Sequence, residues 1–99
     1  MRVVLSAQAL QDLEQIGDWI ARDNPVRAKS FVLELIGKAH GIADGPEQYP
    51  LVPRYAHQGV RRRIHGNYAI FYTVDAETVA VIHVLHGAQD YGAILFPDE

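Results

Sequence analysis

The chain has 99 residues, no cysteine and a formal net charge of −3 at neutral pH. This length predicts one small domain, residues 1–99, and the lack of cysteine excludes disulfides and thiolate metal sites. No apolar run approaches the roughly 18 residues of a membrane span, and the start, MRVVLS, lacks the apolar core of a secretory signal, so we expect a soluble cytoplasmic protein with no membrane partner.

The N-terminal part of the sequence predicts a short strand followed by a helix. Arg2 to Leu5 is the strand candidate, and Ser6 is a favourable N-cap for a helix from Ala7 to about Arg22. Apolar residues then recur at steps of three and four, which predicts one buried helical face. This face comprises Ala9, Leu10, Leu13, Ile16, Gly17 and Ile20, with Trp19 beside it.

A second helix is predicted to begin at Asn24-Pro25, because asparagine caps helices and proline fits the first helical position. It runs to about Ala43, and two amphipathic helices joined by so short a break predict a helical hairpin. Its apolar face comprises Ala28, Phe31, Val32, Leu35, Ile36, Ala39 and Ile42. Gly45-Pro46 ends the helix, and prolines keep residues 44–56 in a loop.

The stretch from Val60 to Asp90 predicts three consecutive strands. Residues 60–65 have the period of two that is typical of a half-buried strand, with Val60, Arg62 and Ile64 facing one way and Arg61, Arg63 and His65 the other. Tyr68–Val74 is rich in aromatic and β-branched residues, and Thr78–Leu85 is apolar on both faces. The short turns between the segments indicate an antiparallel meander, with residues 60–65 as its basic edge.

The resulting order, β-α-α-β-β-β, predicts an α+β fold in which a helical hairpin packs on one face of a small antiparallel sheet. The first strand must pair within that sheet, because a lone strand leaves its backbone groups without partners. After Asp90, residues 91–96 form an apolar tail to which the sequence assigns neither strand nor helix.

Arginines are the strongest chemical feature of the sequence. Four of the nine basic residues fall within ten positions: Arg54, Arg61, Arg62 and Arg63. Guanidinium groups bind phosphates and carboxylates bidentately, which predicts an anion-binding or partner-binding surface. The alternative is a solvated edge strand whose charges block unwanted pairing. The tail residues Tyr91, Leu95 and Phe96 are candidates for a partner surface, or they close the core.

The five histidines do not predict a metal site. His83 and His86 are three positions apart on a strand, so their side chains are expected on opposite faces. The other histidines lack the spacing of known zinc motifs, and no phosphate-binding loop or serine nucleophile motif occurs. We therefore expect no metal and no cofactor, assign no catalytic residue, and interpret His83 as a hydrogen-bonded core or interface histidine.

In this order and spacing, the motifs resemble the ParE/RelE superfamily of bacterial toxins from type II toxin–antitoxin modules, the ParE branch most closely. The resemblance rests on AQALQDLEQIGDWIARDNPVRAKSF, on the Gly45-Pro46 turn and on VRRRIHGNYAIFYTVDAETVAVIHVLHGAQD. One departure is that Gln89 stands where the family's last motif has arginine. The resemblance implies a growth-inhibiting toxin that is wrapped by a cognate antitoxin and that contacts operator DNA only through that complex.

The resemblance leaves two targets open. ParE-like members trap DNA gyrase, whereas RelE-like members are metal-independent endonucleases that cut mRNA on the ribosome. A net charge of −3 disfavours an RNA surface, since phosphate contacts dominate such binding. We therefore favour gyrase inhibition without enzymatic activity, with Arg61, Arg62, Arg63, Tyr91, Leu95 and Phe96 as partner-binding residues. For the endonuclease, Arg61, Arg63 and His86 are the catalytic candidates, and a non-toxic binding module is the third alternative.

Overall fold

A computed structural model describes residues 1–87 and 91–96. Its strands and helices follow the predicted order. They are β1 (Arg2–Leu5), α1 (Ala7–Ala21), α2 (Pro25–Gly41), β2 (Arg61–His65), β3 (Tyr68–Asp75), β4 (Thr78–His86) and α3 (Tyr91–Leu95). Gln89 lies outside the described residues. Among the residues described, no helix is both long and apolar enough to cross a membrane.

The sheet has the strand order β1-β4-β3-β2. Strands β2, β3 and β4 form the predicted antiparallel meander, with β2 at one edge. β1 pairs with β4 in parallel, from Arg2 opposite Thr78 to Leu5 opposite Val81, so the sheet is mixed and not wholly antiparallel. A long connection that includes the helical hairpin separates β1 from the meander, and such connections permit parallel pairing. The predicted α+β class and element order are confirmed.

Both predicted helix caps are present. The Ser6 hydroxyl oxygen accepts the Ala9 N–H at 3.0 Å, and the Asn24 side-chain oxygen accepts the Arg27 N–H at 3.0 Å. Each bond satisfies one of the backbone donors that a helix start leaves unpaired. α2 ends at Gly41, slightly before the predicted Ala43, because the chain tightens into a 3₁₀ turn over Ile42–Asp44.

The inner core lies between the helical hairpin and the sheet. Its buried members come from both helices, from the 3₁₀ turn after α2 and from β3 and β4: Ala9, Leu13, Ile16, Phe31, Leu35, Ala39, Ile42, Ile70, Tyr72, Val79, Val81 and Val84. Two residues predicted on or beside the buried face of α1 lie outside this core, since Leu10 is 54% exposed and Trp19 is 64% exposed. The side of α1 that faces the sheet is filled by the other apolar positions, which turns these two toward solvent.

A second, outer core covers the opposite face of the sheet. It is built from Val52, Tyr55, Val60, Ala69, Phe71 and Leu85. A 3₁₀ segment, Pro53–Gln58, covers part of it, so the predicted loop over residues 44–56 is helical at its end. The tail covers the rest: α3 packs on this core, with the Phe96 ring 4.4 Å from that of Tyr55. The tail that the sequence left unassigned is thus a short helix that closes the outer core.

Two buried tyrosines differ in their hydroxyl partners, and this difference predicts opposite effects of the same substitution. The Tyr72 hydroxyl donates to the Pro46 carbonyl at 2.5 Å, whereas the buried Tyr55 hydroxyl has no partner among the described residues. Tyr72→Phe should lower the free energy of unfolding by about 1 kcal/mol, and Tyr55→Phe should leave it unchanged or raise it by about 1 kcal/mol. Urea midpoints measure both, and a clear loss of stability in Tyr55→Phe would contradict this assignment.

Candidate functional site

The three consecutive arginines of β2 divide between the two faces of the sheet, as the alternation of the sequence predicts. Arg61 and Arg63 lie on the side of the helices. The Arg61 Nη1 donates to the carbonyl oxygens of Glu47 and Tyr49 at 3.1 and 2.7 Å, and the Arg63 Nη1 donates to that of Lys38 at 2.8 Å. These two guanidinium groups therefore anchor the edge strand to the preceding loop and to α2.

Arg63 also occupies the C-terminal end of α2. Its acceptor, Lys38, belongs to the last turn of the helix, where unpaired carbonyls carry partial negative charge that a cation stabilises. The guanidinium lies 4.9 Å from the Tyr49 ring centroid, and a Cβ at Gly41 would be 3.0 Å from the Arg63 Nη1. The side chain is thus packed on several sides and serves the fold, which limits its role as a free anion-binding group.

Arg62 points to the outer face and meets the tail. Its guanidinium lies 6.0 Å from the Tyr91 ring centroid, and neighbouring Ile64 is 63% exposed. These three side chains line a shallow depression of about 290 Å³. We call Arg62, Ile64 and Tyr91 the outer-face patch. Of the predicted partner-binding residues, Arg62 and Tyr91 therefore lie together on the outer face. Leu95 and Phe96 are instead half-buried against the outer core.

The free edge of β2 is covered along part of its length. The Arg62 N–H donates to the Pro50 carbonyl at 3.1 Å, and Leu51 forms an isolated bridge with Arg61. Ile64 lies two positions further along, so its backbone groups also face outward, as alternate residues of an antiparallel edge do. The edge is thus open beside the outer-face patch, where a partner's backbone has access.

The residues of the endonuclease alternative are not gathered in one cleft. His86 packs edge-on against Tyr68, with ring centroids 5.1 Å apart. Of the described residues, those that line the two cavities beside His86 include neither Arg61 nor Arg63. Both arginines donate to backbone carbonyls from Nη1, and they lie apart from the described cavities that His86 lines.

A buried carboxylate holds α1 against the end of β4. Asp12 is 6% exposed; its Oδ2 accepts the Val84 N–H at 2.9 Å and lies 2.7 Å from the His83 Nδ1, and its Oδ1 accepts from Gln8 at 3.0 Å. His83 is therefore hydrogen-bonded, as expected, and it is half-buried at the side of α1. A bulge opposite Phe71 and Tyr72 interrupts the regular register of β4 just before His83. No group that could hold a metal ion occurs among the described residues.

A polar cluster joins α2 to β2. The Glu34 carboxylate bonds to Arg27 and also to the His65 Nε2 at 2.9 Å. The hydrogen bond from Arg27, followed by that from His65, lowers the pKa of Glu34 below 4.5. A lowered carboxyl pKa stabilises the fold above the unfolded value of 4.5, and this contribution is lost as the pH falls through the folded pKa. Arg27 is exposed and Glu34 and His65 are partly exposed, so solvent screens the contribution.

An apolar groove runs along the helical hairpin and was not recognised from the sequence. It has a volume of about 540 Å³ and lies where α1 and α2 approach closely, since a Cβ at Gly17 would be 3.3 Å from Val32. Leu10 and Leu33 line it and are 54% and 59% exposed. We call this the hairpin groove. Leu33 does not belong to the predicted buried face of α2. A leucine outside that face is the feature of the sequence that could have indicated an exposed apolar groove.

Two comparisons with known proteins point to the same family of toxins. A family model described as the ParE toxin of the type II toxin–antitoxin system parDE matches residues 3–91. A solved structure titled "Chromosomal ParDE TA system from P. aeruginosa" has a TM-score of 0.75 and 17% sequence identity, covering 87% of this chain and 95% of that chain. No curated protein matches the sequence. The structural likeness shows a shared fold, and the family match covers nearly the whole chain.

Proposed function

The chain belongs to the ParE toxin family of type II toxin–antitoxin systems, and on this premise we propose that it inhibits DNA gyrase and is neutralised by a cognate antitoxin. The observation that carries the choice of target is the outer-face patch. It combines an arginine, an aromatic ring and an exposed aliphatic side chain beside an open strand edge. Arginine and tyrosine are the residues that most often dominate the energy of protein–protein contacts.

The charge distribution supports a protein target over a ribosomal RNA target. The chain carries a net charge of −3, whereas affinity for nucleic acid depends mainly on cations that contact phosphates. Arg61 and Arg63 donate hydrogen bonds to backbone carbonyls of this chain. Arg62 is therefore the arginine of β2 that is most available to contact a partner. A gyrase surface needs a few desolvated anchors and no complete acid–base set.

The two targets are separated by one paired experiment. Purified toxin is added to gyrase with relaxed plasmid and, in parallel, to ribosomes that translate a defined message. Loss of supercoiling with an intact message supports gyrase. Codon-positioned cuts in the message with normal supercoiling support the endonuclease.

The hairpin groove is the proposed docking site for the antitoxin. Its floor is apolar, and its rim carries Glu14 and Asp18 from α1 and Lys29 from α2. Such a groove suits one amphipathic helix, which buries its apolar face and places charged residues against the rim. The open edge of β2 offers the wrapping segment a second contact. Operator DNA is then contacted through the antitoxin complex, in the cytoplasm.

Leu33→Glu tests this groove. Leu33 is 59% exposed, so the substitution spares the core. It places a charge on the apolar floor, and we expect antitoxin affinity to fall by about tenfold or more, as for other interface anchors. Val26→Glu is the matched control, because Val26 lies on the same helix, is 83% exposed and does not line the groove. Calorimetric titration with the co-encoded antitoxin measures both, and equal affinities for the two variants would contradict the docking site.

A further inference from the structure

A third cavity lies between α1 and the end of β4. Its volume is about 510 Å³, within the range of about 300–1,000 Å³ for small-molecule clefts. It is lined by Asp12, Gln15, Ile16, Trp19, Tyr68, Val84, Leu85 and His86. The cavity is separate from the outer-face patch proposed to contact gyrase and from the hairpin groove proposed to bind the antitoxin.

Aromatic rings form much of its wall. Trp19 is 64% exposed, although an indole is among the most favourable side chains to bury. Tyr68 is fixed from two directions, since its ring centroid lies 5.1 Å from that of His86 and 5.5 Å from that of Phe31. Flat, positioned rings of this kind bind planar aromatic ligands by stacking, which is how proteins hold unpaired nucleobases.

Polar groups at the wall match the edge of a base. The Gln15 side chain is exposed and has no hydrogen-bond partner among the described residues, so its amide offers both a donor and an acceptor. The Tyr68 hydroxyl is protonated at neutral pH and can donate, and burial raises its pKa further above 10.0. The Asp12 Oδ2 already accepts the Val84 N–H and lies 2.7 Å from the His83 Nδ1, so it is bound within the wall of the cavity, and the phosphate of a ligand must lie away from it.

A cation lies over the Trp19 ring, although Arg22 is not itself one of the residues that line the cavity. The Arg22 guanidinium lies 5.1 Å from the Trp19 ring centroid, and it forms no ion pair with another described residue. A guanidinium with free donors binds phosphate bidentately. The cavity thus offers an aromatic wall and an exposed amide, and a guanidinium without an ion pair among the described residues lies over the Trp19 ring.

We propose that this cavity binds a purine nucleoside monophosphate, either as the free nucleotide or as an unpaired nucleotide of a single strand. The base stacks against Trp19 and Tyr68, Gln15 bonds to its edge, and Arg22 receives the phosphate. A purine is chosen over a pyrimidine because its larger ring system gains more from stacking. This binding is independent of the proposed gyrase target.

Trp19 is the single tryptophan of the chain, so its fluorescence reports directly on the cavity. The toxin is titrated with AMP, with adenosine and, in further arms, with a single-stranded oligo(dA) and its duplex. We expect saturable quenching by AMP and weaker binding of adenosine. If the single strand binds more tightly than AMP, the ligand of the cavity is an unpaired nucleotide of a strand. If AMP binds more tightly, the ligand is the free nucleotide. Quenching by the duplex should be absent.

Three variants make the test specific. Gln15→Ala should weaken AMP binding several-fold, and Arg22→Ala should remove the preference for AMP over adenosine. Gln11→Ala is the matched control, since Gln11 is an exposed residue of the same helix that does not line the cavity. It should bind as the unmodified chain does. Absence of saturable quenching by every purine ligand, or equal affinities in Gln15→Ala and Gln11→Ala, would overturn the proposal.

Discussion

Leu35→Ala is expected to lower the free energy of unfolding by about 2–5 kcal/mol. Leu35 is 1% exposed and packs within the inner core between the helical hairpin and the sheet. Truncation removes buried methyl groups and leaves a cavity that a rigid helix and sheet cannot fully close. A domain of this size has about 5–15 kcal/mol of total stability, so the urea midpoint should fall by a large fraction.

Leu33→Ala is the matched control for this prediction. The residue lies on the same helix and carries the same side chain, but it is 59% exposed. Its truncation should change the free energy of unfolding by no more than about 0.5 kcal/mol. Circular dichroism measures the urea midpoints of both variants. If the two midpoints shifted by similar amounts, the hairpin would not pack on the sheet through the Leu35 face.

Elements with strong local signals were predictable from the sequence. The Ser6 and Asn24 caps depend only on residues within three positions, and both are present. The meander was predicted from alternation and short turns, and the pairing of Arg61 with Tyr72 through His65 with Tyr68 confirms it. These features need no knowledge of distant residues, which is why periodicity and capping chemistry found them.

Features that depend on distant residues were not predictable in this way. The direction of β1 is set by how the connection through the hairpin returns to the sheet. The spacing of Leu10 places it on the apolar face of α1. That face is wide, and the packing of α1 on the sheet and on α2 decides which of its residues are buried. The pairing of Asp12 with His83 joins residues 71 positions apart in the chain, and no local pattern marks it.

The candidate site was partly predictable for the same reasons. Alternation correctly separated Arg62 from Arg61 and Arg63. Their different uses could not be anticipated, because the acceptors are backbone carbonyls whose positions follow from the tertiary fold. The contact of Arg62 with Tyr91 forms because β2 and α3 meet on the outer face. Of the three tail residues predicted to bind a partner, Tyr91 lines a surface depression. Leu95 and Phe96 pack against the outer core.

Arg62→Ala is expected to weaken gyrase inhibition by about tenfold or more, which is the effect of removing an interface anchor. The side chain makes no hydrogen bond with another described residue, so its loss should leave the fold intact. Arg2→Ala is the matched control, because Arg2 is an exposed arginine on the opposite edge strand of the sheet. It should inhibit gyrase as strongly as the unmodified chain.

The paired assay on gyrase and ribosomes tests the central claim most directly. The unmodified toxin should abolish supercoiling or accumulate cleaved plasmid, Arg2→Ala should do the same, and the toxin concentration needed should rise for Arg62→Ala. The message on translating ribosomes should remain intact in every sample. Codon-positioned cuts in the message, with normal supercoiling by gyrase, would contradict the account and return Arg61, Arg63 and His86 as the catalytic candidates.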